Sequence, residues 1–325
     1  MVKMTYYLKL VRYKNLLIIA LSQYSLRYLI LFPILKIYGF DLVLSDLDFA
    51  ILVLSTMCLA GAGYVINDYF DRKADLINRP DSVIVGTKIL RRKAMVFHSV
   101  LNVVGVAAGV YLSFRINIPY FGFVFLFITG ILWFYSTTYK KIVFAGNFIV
   151  ALLTALVTMM VLFFELPPIS EKFHSAVLFD EAAYNMLIYS LGISFFAFIT
   201  TFIREIIKDF EDIKGDRENN RKTVPIVFGN FVSKIILMVL IFSMIFSLMF
   251  SYFYYLQHIR FYDSHLIILA YIILCLIVPI IILTLKLIGA VTQPDFKKLS
   301  KYMKLIMLSG LLFTVLSYFL MIEKF

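Results

Sequence analysis

Long, almost uncharged apolar runs alternate with short charged segments along this chain. Nine such runs stand out, at roughly 15–37, 47–66, 94–114, 120–139, 142–163, 184–203, 233–256, 265–289 and 305–322. Each approaches the ~20 predominantly apolar residues that a helix needs to cross a bilayer. The pattern therefore predicts an all-α polytopic membrane protein with nine transmembrane helices. The first run follows Lys9, Arg12 and Lys14, as the apolar part of a signal peptide would. It is long and lacks a clear small-residue cleavage site, so it reads as a retained helix.

Composition narrows the class. Of 325 residues, 62% are hydrophobic and 16% charged, against about 45–50% and about 25% in soluble domains. This excludes an ordinary cytosolic enzyme, a disordered protein and a nucleic-acid-binding domain. Cys58 and Cys275 both lie in apolar runs, which supports neither a disulfide framework nor a zinc site.

The net charge of +11 reads as topology, because basic residues collect in cytoplasmic loops of membrane proteins. With the N-terminus inside, the inner segments and adjoining helix ends hold 25 of the 31 Lys and Arg residues. The outer segments hold Lys36, Arg115, Lys172, Arg260 and Lys324, together with Asp41, Asp46, Asp48, Glu165, Glu171, Asp180 and Glu181. The expectation is a protein of the cell (inner) membrane with its C-terminus outside. Arg27 falls within the first run, where an ionisable group marks either a functional site or a helix contact. Gly61, Gly63, Gly105 and Gly109 fit close helix packing.

Two acidic clusters carry the chemistry. Asn67-Asp68-Tyr69-Phe70-Asp71-Arg72-Lys73-Ala74-Asp75 follows the second run, and Asp209-Phe210-Glu211-Asp212-Ile213-Lys214-Gly215-Asp216 follows the sixth. Both contain D-x2-D-x3-D, whose offsets of three, four and seven place the acids on one face of a helix. Four runs lie between the clusters, so both are expected on the cytoplasmic side, on helical caps. The repeated spacing suggests two four-helix units with a ninth helix added. Solvated loops also carry acids, but the matched spacing and shared side favour a site. Like charges along one face repel, and a divalent cation offsets that repulsion. Mg²⁺ is usually held by one or two carboxylates plus substrate phosphate oxygens. Arg72, Lys73 and Arg79 flank the first cluster, Arg204, Lys208, Arg221 and Lys222 the second, and Lys140 and Lys141 end the fourth run, where a diphosphate would need cations.

At these residues the chain resembles the UbiA-type intramembrane prenyltransferases, which carry an N-D-x2-D-x3-D motif after the second helix and D-x3-D after the sixth, on nine helices. The resemblance covers nearly the whole chain, implying a single domain over 1–325 with motifs at 67–75 and 209–216. It implies Asn67, Asp68, Asp71, Asp75, Asp212 and Asp216 as Mg²⁺ ligands, with Asp68, Asp71 and Asp212 catalytic; the repeated spacing adds Asp209 to the ligand set. By the same resemblance Asn15 and Tyr135 line the substrate pocket. The implied reaction is Mg²⁺-dependent transfer of a prenyl group from its diphosphate to an acceptor in the membrane. The segment 204–216 with Lys222-Thr223-Val224-Pro225-Ile226 is similar to the branch that includes geranylgeranylglycerol-phosphate geranylgeranyltransferases. One departure from the family is Ser82, where a second arginine is common.

A prenyl cation needs a dry pocket with electron-rich walls, and 21 Tyr and 33 Phe offer aromatic faces. The expected partners are a prenyl diphosphate donor, a lipid or aromatic acceptor and membrane lipids. A prenylglycerol phosphate in ether-lipid synthesis leads, with geranylgeranyl the expected chain; an aromatic quinone precursor is the alternative acceptor. A secondary transporter is the alternative of another class, but transporters place ionisable groups near the bilayer midplane. Here the acids gather at helix ends.

Overall fold

Runs this apolar satisfy their backbone polar groups only by coiling, since lipid offers no hydrogen-bond partner. The computed structural model describes residues 4–259 and 264–324, so Arg260, counted above among the outer basic residues, lies outside the described residues. Among the described residues nine helices are long and apolar enough to cross a membrane. They are Tyr13–Ile37, Asp46–Asn78, Arg91–Arg115, Pro119–Lys141, Ala145–Phe173, Phe179–Glu211, Val224–His258, His265–Gly289 and Gln293–Met321. The only β-type pairing among those residues is the isolated bridge between Val85 and Ile89.

Several helices outrun their apolar stretches. The second continues to Asn78 and so carries the whole first acidic motif. Ser45 starts it by accepting a hydrogen bond from the Asp48 amide at 3.1 Å, satisfying a donor that the first turn leaves orphaned. The ninth begins at Gln293, far ahead of residue 305, behind a reciprocal Thr292–Asp295 capping box. The fifth runs through Pro167 and Pro168 to Phe173. Glu165, expected in an outer loop, therefore lies within that helix. The seventh starts at Val224 and bends at Gly229, whose φ of 72° falls outside the helical region.

Two compact units divide the chain. The first comprises the chain up to Gln23, Leu44–Ile149 and Lys214–Thr223. In it the second, third and fourth spans pack on one another. Small residues set the spacing: a Cβ on Gly109 would meet the Phe125 ring at 2.3 Å, and one on Gly105 would meet Leu59 at 2.8 Å. Ser55 donates to the Gly105 carbonyl at 2.6 Å across that contact. A cluster of Leu10, Val11, Leu16, Val65, Val85, Ile89 and Ala94 fills the core near the first motif.

The second unit comprises Tyr24–Val43, Val150–Ile213 and the chain from Val224 onward. The sixth and ninth spans run together there, joined by the stacked rings of Phe210 and Phe296 at 4.4 Å. Arg27 sits in a π-helical turn, Arg27–Leu31. Its Nε donates to Glu165 Oε1 at 2.5 Å, with both side chains fully buried. The role left open for Arg27 is thus a helix-to-helix contact. Elsewhere the spans present bare apolar surface, including Phe123, Phe127, Phe242, Phe246 and Leu274, as lipid-facing helices do.

Candidate diphosphate and metal site

The last turns of the second span build the site in the first unit. The offsets of three and four residues align Asp68, Asp71 and Asp75 along one face of a continuous helix. Asp68 Oδ1 accepts from Arg12 Nη2 at 2.8 Å, and the Arg12 guanidinium lies 4.8 Å from the Tyr64 ring centroid. Arg12 adopts a left-handed φ of 52° where the short helix Met4–Leu10 meets the first span. Arg79 is near enough to Asp68 for Coulombic attraction.

Asp71 is the hub. Its Oδ1 accepts from both Lys140 Nζ, just past the fourth span's regular helix, and Arg221 Nη2. Arg221 reaches further, donating from Nη1 to Asp216 Oδ1 at 3.0 Å. One guanidinium thus bridges a carboxylate from each acidic motif. Burial works against the charge of Arg221, but the carboxylates of Asp71 and Asp216 outweigh it and hold the guanidinium above its ordinary value. Tyr135 acts in the same direction. Such charge-assisted, forked hydrogen bonds are among the stronger polar contacts in proteins.

The second motif does not form one helical face, contrary to the reading from its spacing. The sixth helix ends at Glu211, Asp212 caps it with φ −100° and ψ 6°, and a separate helix spans Ile213–Glu218. Beyond the break, Lys214–Thr223 belongs to the first unit. Gly215 lies so close to the second span that a Cβ would sit 2.7 Å from the Ala74 carbonyl and 2.5 Å from Asn78 Nδ2. Asp216 accordingly belongs with the first motif, buried beside Arg221. Asp209 and Asp212 belong to the second unit. So do Arg204 and Lys208, which both bind Glu205 at 2.8 Å.

Other sequence candidates fall as follows. Arg72 runs beneath Gly86, whose φ of +81° and missing Cβ admit it at 2.6 Å from Nε; that Nε is buried without a hydrogen-bond partner among the described residues. The Asn67 Oδ1 is likewise buried and unpartnered. Lys222 exposes its side chain and fastens only by its amide, to the Lys141 carbonyl at 3.1 Å. Asn15 is half-buried at the start of the first span, its amide on the Arg12 carbonyl at 2.7 Å. Sequence reasoning left Arg12 out of the site and named Arg221 only together with Lys222, as cations flanking the second motif. Arg12 counted only toward topology, and Arg221 stands next to Lys222, so the charge run does not say which of the two turns inward.

The donor set is all oxygen, which suits a hard cation such as Mg²⁺. Among the described residues no three His, Cys, Asp or Glu side chains form a ready-made metal cage. Mg²⁺ does not require one, since it keeps waters and takes phosphate oxygens alongside one or two carboxylates. Asp71, Asp216 and the orphaned Asn67 oxygen fit that mode.

The nine apolar spans among the described residues, with carboxylates and cations clustered at helix ends, are those of an integral membrane protein. The model of the UbiA prenyltransferase family matches residues 37–292, and the chain belongs to this family, making it a prenyltransferase. A digeranylgeranylglyceryl phosphate synthase of Methanosphaera stadtmanae is 30% identical over 262 residues, covering 79% of this chain and 84% of that protein. One from Methanothermobacter thermautotrophicus is 33% identical over 197 residues, covering 60% of this chain and 62% of its own length. Two solved structures share the fold. That reported for digeranylgeranylglyceryl phosphate synthase is 22% identical, covers 98% of this chain and 99% of its own, and has a TM-score of 0.63. A UbiA homolog from Archaeoglobus fulgidus bound to DMAPP and Mg²⁺ is 17% identical, covers 94% and 97%, and has a TM-score of 0.55.

Proposed function

We propose that the protein transfers a geranylgeranyl group from its diphosphate to the free glycerol hydroxyl of a prenylglycerol phosphate, forming an ether bond of a membrane lipid. The observation that carries this reading is the Arg221 bridge, which joins Asp71 and Asp216 with Lys140 beside them. Paired acids with adjacent cations match a metal–diphosphate ligand, and the synthase relatives point to the glycerol acceptor.

Asp71 and Asp216 hold Mg²⁺ in this proposal, with Asn67, Asp68 and Asp75 along the same helix. Asp209 and Asp212 join the set on sequence pattern. Mg²⁺ supplies charge neutralisation to the departing diphosphate. Lys140, Arg221 and Arg12 turn from carboxylates toward phosphate oxygens and stabilise the charge that grows on the leaving group. Arg72 and Arg79 add to that field, with Arg204, Lys208 and Lys222 assigned by position in the sequence; Asn15 and Tyr135 are assigned to the pocket. The allylic C–O bond breaks, the glycerol oxygen bonds to the prenyl carbon, and its proton passes to the released diphosphate.

The whole chain, 1–325, acts as one prenyltransferase domain. The positive-inside bias supports a cytoplasmic N-terminus and charged site, with the C-terminus outside the cell (inner) membrane. The prenyl tail then lies in the bilayer while its head group meets the charged helix ends.

The test is turnover of the detergent-purified protein with Mg²⁺ and geranylgeranyl diphosphate. Geranylgeranylglyceryl phosphate and an aromatic acid are offered side by side. Product on the glycerol lipid, abolished by EDTA, is the expected result. Product on the aromatic acceptor alone overturns the acceptor assignment, and EDTA-resistant turnover overturns the metal.

A further inference from the structure

Asn78 lies seven residues beyond Asp71 and so shares the face that carries the first motif. Its Oδ1 accepts the Gly215 amide at 2.9 Å. The same glycine admits the backbone of the second span so closely that any Cβ would collide with Ala74 O and the Asn78 amide. Gly215 immediately precedes Asp216, which is buried and tied to Asp71 through Arg221. One further fastening, the Lys222 amide on the Lys141 carbonyl, is main chain to main chain. Besides Asp71, which accepts from Arg221, Asn78 is a point where a side chain from the first motif's helix grips the segment that delivers Asp216, and it does so by a main-chain amide.

We infer that Asn78 and Gly215 form a clasp that sets the separation of Asp71 and Asp216, making Asn78 a positioning residue for the metal–diphosphate site. Asn78 acts through Asp216. The inference rests on the proposed function, because a separation between two acids matters chemically only if both serve one ligand. Gly215 is needed because the approach is backbone to backbone. A side chain there pushes the Ile213–Glu218 helix away and carries Asp216 with it. Outer partners that orient metal ligands typically change metal affinity by 10–100-fold when removed.

The experiment follows thermal unfolding of the full-length protein in detergent, titrating Mg²⁺ at fixed inorganic pyrophosphate. The readout is the Mg²⁺ midpoint of stabilisation, which needs no turnover. Asn78→Ala should raise that midpoint by about tenfold or more while leaving the unliganded Tm near wild type. Gly215→Ala should shift the midpoint in the same direction. The double variant should be no worse than the poorer single, since both act on one contact. A wild-type midpoint in Asn78→Ala, or a lower Tm with the midpoint unmoved, overturns the clasp as a positioning device. A wild-type protein that ignores Mg²⁺ and pyrophosphate together overturns the proposed function, and the clasp falls with it. The two failures are therefore distinguishable.

Discussion

Asp71→Asn is the substitution with the most to say about how the site holds together. The carboxylate oxygen that it removes accepts from Lys140 and Arg221 at once. The side chains of Asp71, Lys140 and Arg221 are only 11%, 7% and 14% exposed, so water does little to replace the lost partner. Breaking a buried ion pair from one side costs about 3–5 kcal/mol, mostly as the penalty of the stranded charge. Arg221 keeps Asp216, so the lower end, ~3 kcal/mol, applies. For a chain of this size that corresponds to a fall of about 5–10 °C in Tm. Turnover should vanish as well. The informative step is the double variant Asp71→Asn with Lys140→Met. Removing the stranded cation should restore most of the lost Tm while turnover stays absent. Thermal unfolding of both proteins in one detergent checks this. A single variant within about 1 °C of wild type, or a double variant less stable than the single, refutes the claim that Asp71 compensates buried cations.

Three other outcomes are expected. Arg221→Ala should cost about 100-fold in kcat, and the exposed Lys222→Ala about tenfold, an order that steady-state kinetics on the two variants checks. Arg27→Met alone should lower Tm by stranding Glu165, and Arg27→Met with Glu165→Met should recover it, because an apolar pair avoids the desolvation that a buried ion pair carries. Gly86→Ala places a Cβ at a left-handed φ and against Arg72, so it should destabilise the protein by about 1–2 kcal/mol and raise KM for the prenyl diphosphate, read by unfolding and by kinetics.

The spans were legible because lipid imposes one rule, about twenty apolar residues per crossing. Helix ends were not, since polar residues extend a helix past its apolar run whenever a cap such as Thr292–Asp295 supports it. The first motif was readable by helical offset alone. The second was not: the same offsets break at Asp212, and beyond the break Gly215 meets a helix 137 residues earlier. Local spacing carries no trace of that contact. Glu165 was misplaced for a related reason, as an acid at the edge of an apolar run looks like a loop residue until Arg27 is brought against it. Arg12 was hidden among basic residues whose number reports topology, and Arg221 could not be told from Lys222 because individual directions depend on tertiary packing.

The Arg27–Glu165 pair also bears on how the protein is made. Its halves are 138 residues apart, and a ribosome adding ~5–20 residues per second needs roughly ten seconds to half a minute to cover that distance. Throughout that interval the first span has its arginine without Glu165. A chain truncated before residue 165 should integrate its first helix poorly, and the order of synthesis becomes part of how this membrane protein reaches its native topology.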